Sequence, residues 1–218
     1  MLPLDKHGSN ALDHLIQKFL PVAGKIIITT AYHTDFLEDH IRKKYNNPNI
    51  VFSREKVNEL KSPGRSVLFA LDHCVLTNPT IVMFSDFIFE DYIPVDQDAL
   101  VINAAPETDY HIVDAHAKGE PVVEEGVVKE VRPRKDPGNP WYGGFTGMGI
   151  FHNTVLFKAL TYKYAVQKPD FNINYDFDVV NDYVKQVKTI AVPVNHLFEF
   201  GVPDMLKKVR DYTNSNNS

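Results

Sequence analysis

The chain has 218 residues, of which 44% are hydrophobic and 23% charged, and its formal net charge is -5. This length and apolar fraction exclude a disordered chain and predict a soluble globular protein of one large or two small domains. No apolar run approaches the ~20 residues that a membrane span needs. The acidic balance, without a basic cluster, argues against a nucleic acid as the main partner.

Cysteine usage and the first residues bear on the compartment. The only cysteine is Cys74, and a lone thiol can form neither an internal disulfide nor a multi-thiolate metal site. The N-terminus lacks the apolar core of a secretory signal peptide. These features together predict a cytoplasmic protein that does not interact with a membrane.

The first half of the sequence alternates helical and strand patterns. A helix is predicted after a cap at Ser9 or Asn10, and the apolar run at 25–31 predicts a buried parallel strand. The same patterns predict, in chain order, a helix capped by Thr34 or Asp35, a strand at 49–53, a helix at 66–74 and a strand at 80–84. This alternation predicts an α/β fold with a mostly parallel sheet and helices on both faces.

The second half begins with short strand patterns separated by turn residues. These patterns lie at 99–105, 110–115, 122–125 and 127–131 and predict an antiparallel β insertion. Helices at 153–165 and 179–186, a strand at 188–194 and a helix at 203–212 are predicted to follow. We therefore expect a single domain over residues 1–212 and a frayed polar tail at 213–218.

Two acidic residues are candidate metal ligands. Asp86 follows the predicted strand at 80–84, and open α/β sheets place ligands beyond the carboxyl ends of their strands. A carboxylate there suits Mg²⁺ carrying phosphate oxygens, although aspartate also commonly caps a turn. Glu199 lies between two phenylalanines, where an unpaired carboxylate is costly to bury. It is either a second metal ligand or an edge-strand side chain that points to solvent.

Two further segments carry groups suited to phosphate. Pro63-Gly64-Arg65-Ser66 precedes a predicted helix, whose free N–H groups can hold an anion or the edge of a base. The alternative for this segment is a simple Pro-Gly turn. Arg132 lies close in sequence to Arg134 and Lys135, which indicates either a phosphate clamp or a solvated strand end. The phenylalanines at 84, 87 and 89 are predicted to be core.

Taken in order, several segments resemble one family, the sugar-1-phosphate nucleotidyltransferases such as glucose-1-phosphate thymidylyltransferase. The resemblance is loose in each motif but spans nearly the whole chain. The segments that carry it are Met1-Leu2-Pro3-Leu4-Asp5-Lys6, Leu12-Asp13-His14-Leu15-Ile16, the run at 25–32, Ser62-Pro63-Gly64-Arg65-Ser66, Phe84-Ser85-Asp86, Val131-Arg132-Pro133, Gly147-Met148-Gly149-Ile150-Phe151 and Glu199-Phe200-Gly201-Val202-Pro203-Asp204.

The resemblance implies a Rossmann-like fold of the GT-A type. It implies transfer of a nucleoside monophosphate from a nucleoside triphosphate to a sugar phosphate or similar phosphorylated small molecule, with release of pyrophosphate. Asp86 and Arg132 are the implied catalytic residues, and Asp86 and Glu199 the implied Mg²⁺ ligands. The implied nucleotide contacts are Gly64, Arg65, Ser66 and Ser85. The implied sugar contacts are Tyr32, Arg132 and Gly149.

The sequence also departs from the family. The family opens with a strand and a Gly-rich triphosphate loop, and this sequence begins after the position of both. Arg132 stands in place of a lysine, and Glu199 in place of an aspartate. These departures keep a second hypothesis open: a non-catalytic relative that binds a nucleotide or sugar nucleotide, or a subunit of a split enzyme. The oligomeric state is left open, with a homo-oligomer among the alternatives.

In that family the first strand lies centrally, between the strands predicted here at 25–31 and 80–84. Without it, each of these strands would leave a row of unpaired backbone groups, and each buried group costs about 1–3 kcal/mol. We therefore expect either that the two strands pair directly or that another segment, from this chain or a second one, fills the gap. We favour direct pairing or a replacement from within the chain.

Overall fold

The computed structural model describes residues 9–55, 62–85, 87–104, 119–133, 144–168, 173–195, 197–199, 207 and 211. The helices are α1 (Ala11–Phe19), α2 (Thr34–Tyr45), α3 (Pro63–Leu71), α4 (Thr154–Gln167) and α5 (Asn181–Val184), with a π-helix over Tyr175–Val180. The strands are β1 (Ile26–Thr30), β2 (Ile50–Arg54), β3 (Thr80–Val82), β4 (Phe87–Phe89), β5 (Ala99–Asn103), β6 (Gly119–Glu124), β7 (Val127–Pro133), β8 (Phe145–Phe151), β9 (Thr189–Val194) and β10 (Leu197–Glu199). No helix within these residues has the length and apolarity needed to cross a membrane.

The N-terminal helix begins where the sequence predicts. Asn10 caps α1, because its side chain accepts a hydrogen bond from the Asp13 amide while the Asp13 carboxylate accepts one from the Asn10 amide. The apolar side of α1 packs on the pair formed by β1 and β2, which run parallel. Ile16, Ile28 and Ile50 form the centre of this packing, so the predicted helix–strand alternation of this region is confirmed.

The helix α3 begins three residues before its predicted start. Pro63 occupies its first turn, where a missing N–H and a fixed φ cost nothing. Gly64 follows and packs so tightly on Ile173 that a Cβ at this position would lie 2.6 Å from the Ile173 carbonyl oxygen. Close packing between these two segments therefore requires a glycine here.

The largest sheet has six strands in the order β3-β8-β5-β9-β7-β6. Only β5 and β9 run parallel in it; the other described pairs are antiparallel. Its two faces are covered by separate apolar clusters, one that includes Leu71 of α3 and Phe157 of α4 and one that includes Phe19 of α1. The α/β class with helices on both faces is confirmed, but the sheet is mixed because β8 runs against both of its neighbours.

The remaining elements extend this core. The short strands β4 and β10 pair antiparallel, and Phe87 and Phe89 are buried as predicted. The helix predicted at 179–186 starts earlier, as the π-helix that continues into α5. The strand predicted at 110–115 lies outside the described residues. Of the helix predicted at 203–212, the described residues Lys207 and Asp211 are helical.

Direct pairing of β1 with β3, one of the two arrangements favoured from the sequence, is wrong. Among the described strands, β1 pairs only with β2 and β3 pairs only with β8. The amide of Ile26 donates to Asn49, and the carbonyl of Thr30 accepts from Glu55, so the backbone groups of residues 26, 28 and 30 face β2. The backbone groups of Ile27 and Thr29 therefore face away from β2, because they alternate along a parallel strand. β1 and β3 therefore do not adjoin, and the facing edges of both strands line one cavity.

Candidate functional site

A cavity of 710 Å³ lies between β1 and β3. One wall consists of eight consecutive residues, 24–31, and the opposite wall of another eight, 78–85. Successive residues of a strand point to opposite faces of a sheet, so a cavity that touches every residue in turn borders the edge of the strand rather than a face. We refer to this cavity as the interstrand cleft.

Two helices cover the interstrand cleft from opposite sides. Ile28 of β1 packs in one cluster with Ile16 of α1, whereas the neighbouring Thr29 hydroxyl donates to the Ser66 carbonyl of α3 at 3.4 Å. On the other wall, Val82 packs with residues of α3 and Ile81 packs with the cluster that contains Phe19. The cleft is therefore one strand position of a sheet with α1 on one face and α3 on the other.

Two of the predicted nucleotide-binding residues line the interstrand cleft. Ser66 lies in the second turn of α3 and is half-buried, while Ser85 follows β3 and is exposed. The fold thus brings together two segments that are 19 residues apart in sequence. Asp86, the predicted metal and catalytic residue, lies outside the described residues.

The other two predicted nucleotide contacts are buried in α3. The guanidinium of Arg65 lies over the Phe69 ring, 5.3 Å from its centroid. Arg65 also exerts an electrostatic effect on Glu55 that opposes the rise in the pKa of that carboxyl. Gly64 sits against Ile173 as described above, and a packing requirement accounts for its lack of a side chain.

Glu55 is a lining residue that the sequence analysis missed. It follows β2 at the carboxyl end of the strand, is only 7% exposed and lines the interstrand cleft. Burial raises the pKa of Glu55, and nearby Ser66 and Arg65 oppose that rise. Within the described residues, neither carboxylate oxygen accepts a hydrogen bond of normal geometry. The signal was available, because an acid just after a predicted strand is the same pattern that singled out Asp86.

The predicted sugar contacts Tyr32 and Gly149 occupy different environments. Tyr32 lies just beyond β1, next to Ala31 of the cleft wall, and its side chain is largely exposed. Gly149 lies within β8, opposite Val82 of β3 and Leu100 of β5. A Cβ on Gly149 would lie 2.4 Å from the Phe151 ring, so the space beside this glycine is filled by core side chains.

Arg132 lies on β7, near the far edge of the six-stranded sheet. Three strands separate β7 from β3, a span of roughly 19 Å at ordinary strand spacing. The Arg132 guanidinium is 3.4 Å from Glu120 on β6, and its Nε is buried without a hydrogen-bond partner among the described residues. One buried donor of Arg132 thus has no partner among the described residues, at a distance from the interstrand cleft.

Of the predicted metal pair, only the backbone of Glu199 lies within the described residues. Glu199 of β10 is the register partner of Phe87 in β4, and Phe87 follows Asp86 in the sequence. The β4–β10 pairing therefore brings the Glu199 backbone beside the residue that follows Asp86 in the sequence. Across the ranges that the structure describes, no three His, Cys, Asp or Glu side chains cluster as a metal site.

Comparisons with known proteins establish the fold. No family model and no curated protein matches the sequence. Among solved structures, CTP:phosphocholine cytidylyltransferase from Streptococcus pneumoniae is similar with a TM-score of 0.68 at 13% identity, over 93% of this chain and 84% of that one. A nucleoside-diphosphate-sugar pyrophosphorylase from Vibrio cholerae RC9 gives a TM-score of 0.68 at 13% identity, over 94% and 88%.

A UDP-glucose pyrophosphorylase complexed with UDP-glucose is similar to the same extent. Its TM-score is 0.68 at 15% identity, over 97% of this chain and 88% of that one. The likeness spans nearly all of this chain in each case, and the identities are low. These comparisons show that the chain has the Rossmann-like α/β fold of nucleotidyltransferases and sugar-nucleotide pyrophosphorylases.

Proposed function

We propose that this protein transfers a nucleoside monophosphate from a nucleoside triphosphate to a phosphorylated small molecule, a sugar phosphate or a similar phosphate ester. An oxygen of the acceptor phosphate attacks the α-phosphorus, the bond to the β-phosphate oxygen breaks, and pyrophosphate leaves. The observation that carries this proposal is the likeness of nearly the whole chain to solved structures named for this chemistry.

The position of the predicted nucleotide contacts supports the proposal. Ser66 and Ser85 come from two separate segments and line one cleft, and Arg65 lies in the same helix as Ser66. Hydroxyl groups and the N-terminal end of a helix are suited to a base edge, a ribose or a phosphate. In this proposal the nucleotide lies at the cleft end formed by these residues.

The acceptor is assigned to a different part of the sheet. Arg132 carries a guanidinium whose planar fork matches a phosphate, and its Nε has no described partner. We assign Arg132 to the acceptor phosphate, but not Gly149 or Tyr32, because core side chains fill the space beside Gly149 and Tyr32 lies on the opposite side of the interstrand cleft. The enzyme then works by positioning the two substrates and neutralising their charge.

Mg²⁺ fits the donor set of the proposed site. Asp86 and Glu199 supply hard carboxylate oxygens, and the pairing of Glu199 with Phe87 brings their chain segments together. When bound there, the ion would neutralise phosphate oxygens of the nucleotide. Asp86 and Glu199 are therefore the residues we assign to Mg²⁺.

The test is pyrophosphate release from the purified chain. Each of the four nucleoside triphosphates is incubated with Mg²⁺ and with glucose 1-phosphate, phosphocholine or inositol 1-phosphate. We expect release that requires both a nucleotide and an acceptor. Glu199→Gln should lower the rate about 100-fold, because a metal ligand's charge stabilisation is worth several kcal/mol.

Glu124→Gln serves as the matched control, because Glu124 is an exposed acid at the end of β6 and its loss should leave the rate unchanged. Nucleotide binding without pyrophosphate release from any pair would support the non-catalytic alternative. Equal rates for the Glu199 and Glu124 variants would contradict the assignment of Glu199 to the metal.

A further inference from the structure

We propose that the outer face of α4 binds the same face of a second copy of this chain, as an antiparallel helix pair related by a two-fold axis. The exposed residues of α4 are mostly apolar. They are Val155, Ala159, Tyr162, Lys163, Val166 and Gln167. On α2, by contrast, the exposed residues are all charged except for Phe36. Of these two helices, α4 is therefore the one that turns an apolar surface to solvent along its length.

The opposite face of α4 is apolar as well. Phe157, Leu160 and Ala165 pack in the cluster that covers one face of the six-stranded sheet. A helix that is apolar all round is normally buried all round, whereas Val155 is 58% exposed and Val166 is 84% exposed. The outer face of α4 thus has the composition of a covered surface.

The apolar residues of the outer face form one line along the helix. Val155, Ala159, Tyr162 and Val166 follow each other at intervals of four, three and four residues, which is the spacing with which one helix contacts a second helix. Single apolar side chains scattered over a surface are normal, but residues that repeat at this spacing lie side by side. We refer to these four residues as the α4 seam.

The α4 seam is complementary to itself when two helices run antiparallel. A two-fold axis that crosses the helix between residues 160 and 161 places Val155 opposite Val166 of the second copy, and Ala159 opposite its Tyr162. The small side chain of Ala159 leaves the room that the tyrosine ring needs. A parallel pair would instead bring like residues together, with two tyrosines in contact and a gap between two alanines. The seam therefore favours the antiparallel pair.

The charges beside the seam do not oppose this pairing. Lys158 Nζ lies 3.3 Å from Asp72 Oδ1 on one side of the helix, and Lys163 Nζ lies 2.8 Å from Asp182 Oδ2 on the other. Each flank thus carries a neutral ion pair, so two copies approach without net repulsion at this surface. The Tyr162 hydroxyl donates to Asp72, which keeps this hydroxyl satisfied when the ring is buried. Tyr162 is therefore a preformed anchor for the interface.

Size and symmetry indicate the occupant and the strength of binding. α4 has 14 residues, or about 21 Å of a helix roughly 10 Å wide. The loop at 72–79 adds the exposed Val75 and Leu76 beside the first turns of α4. This surface is smaller than the ~800 Å² that each partner contributes to a standard interface, which fits a reversible dimer. A helix of another protein would not require the internal symmetry of the seam, so the observations favour a second copy.

Sedimentation equilibrium of the unaltered chain tests the proposal. We expect exchange between monomer and dimer with a dissociation constant of about 10–100 µM, as an interface below standard size implies. Val166→Glu should raise this constant about 100-fold or more, because each dimer would bury two unpaired carboxylates. Gln167→Glu is the matched control, because it adds the same charge at the next residue of α4 but outside the seam, and should leave the constant unchanged.

A charge swap tests the antiparallel register. Val155→Glu and Val166→Lys should each be monomeric alone, while an equimolar mixture should form dimers, because the two new side chains face each other across the pair. Recovery in the mixture also shows that both variants are folded. Val155→Cys should form no disulfide with its own counterpart, since the two positions would lie about 16 Å apart along the helices. Mixed with Val166→Cys, it should form one.

Other results would overturn the proposal. A monomer at every concentration up to about 1 mM would mean that the outer face of α4 binds no second copy. A dimer that Val166→Glu leaves unchanged would place the interface elsewhere. A disulfide between two copies of Val155→Cys would show a parallel pair. A monomer that dimerises only after removal of residues 213–218 would show that this polar segment covers α4 instead.

Discussion

The amide nitrogen of Glu55 donates a 2.7 Å hydrogen bond to the carbonyl oxygen of Thr30. This bond extends the β1–β2 ladder by one residue and fixes Glu55 at the end of the interstrand cleft. Ser66 and Arg65 lie close enough to favour its ionised form, yet neither carboxylate oxygen accepts a hydrogen bond of normal geometry from the described residues. The backbone therefore holds a buried acid where the protein only partly compensates its charge.

Replacing Glu55 with glutamine should stabilise the folded chain at neutral and alkaline pH. Burial raises the pKa of Glu55 above its ordinary value of 4.5, so the unfolded state ionises first and stability falls as pH rises from 4.5 through the folded-state pKa. We expect Glu55→Gln to be more stable than the unaltered chain by roughly 1 kcal/mol near pH 8. Urea unfolding near pH 8 and near pH 4 measures the effect.

The pH dependence separates this explanation from a change in packing. Near pH 4 the carboxyl is largely protonated in both states, so the advantage of the glutamine variant should shrink. An equal gain in stability at both pH values would show that shape rather than charge is responsible. Glu124→Gln, at an exposed position, should change stability at neither pH.

Asp13 provides the opposite case, a buried acid with a complete set of partners. Burial alone would raise the pKa of Asp13, but Lys44, the Asn10 amide and Tyr45 together hold it below its ordinary value of 3.8. Lys44 Nζ lies 2.9 Å from Asp13 Oδ2, and the Tyr45 hydroxyl donates to Oδ1 at 3.0 Å. Asp13→Asn should destabilise the chain by about 2–3 kcal/mol at pH 7, since it breaks a largely buried ion pair.

The stability that Asp13 contributes is present above pH 3.8 and is lost as pH falls through its lowered folded-state pKa. The asparagine variant should therefore lose less stability than the unaltered chain between about pH 4 and pH 2. Asp39→Asn is the control, because Asp39 pairs with Lys43 at the surface; an exposed pair of this kind is worth about 0.5 kcal/mol or less. Similar losses for both variants would contradict the role assigned to burial.

Local patterns were sufficient to predict the first three helices and the strands β1, β2 and β3. The cap at Asn10, the apolar run of β1 and the helix that starts at Thr34 depend on neighbours within a few residues. The strand β8 carries no such signal, because glycines at 147 and 149 weaken strand propensity. It is a strand because β3 and β5 pair with it on both sides, and that pairing is a long-range property.

The candidate site likewise combines features that local patterns predict with features that depend on long-range contacts. Ser66 and Ser85 were identified through motifs, and the fold brings both to one cleft. The position of Glu55 just after a predicted strand marks it as a candidate, but its burial could not be inferred from the sequence, because that burial depends on α3 and on the separation of β1 from β3. That separation is also why direct pairing of the two strands was wrong, since no local pattern specifies the distance between strand edges.

Gly147 should be intolerant of a side chain for two separable reasons. Its φ is +86°, and a Cβ would lie 2.5 Å from the Phe84 ring. Gly147→Ala should therefore cost about 2–4 kcal/mol, the sum of a left-handed backbone penalty and overpacking. Gly126→Ala measures the backbone penalty alone, because Gly126 has a φ of +77° with open space around it. This variant should cost about 1–2 kcal/mol.

A double-mutant cycle in urea unfolding tests the contact with Phe84 directly. In a Phe84→Ala background the clash is removed, so Gly147→Ala should cost about the same as Gly126→Ala, within ~0.5 kcal/mol. An unchanged cost in that background would mean that the penalty resides in the backbone alone.

Arg132 should determine the affinity for the phosphorylated acceptor rather than for the nucleotide. Its Nε is buried without a described partner, and Glu120 engages the other side of the guanidinium at 3.4 Å. Arg132→Lys keeps the charge but loses the planar fork, so KM for the acceptor should rise about 10- to 100-fold, the equivalent of one charged hydrogen bond. KM for the nucleotide should stay constant, because three strands separate β7 from β3 at the interstrand cleft.

Lys129→Ala, an exposed cation on the same strand, should change neither KM. Steady-state pyrophosphate release with each substrate varied in turn measures both constants, and an equal rise in the two KM values would place Arg132 at the nucleotide instead.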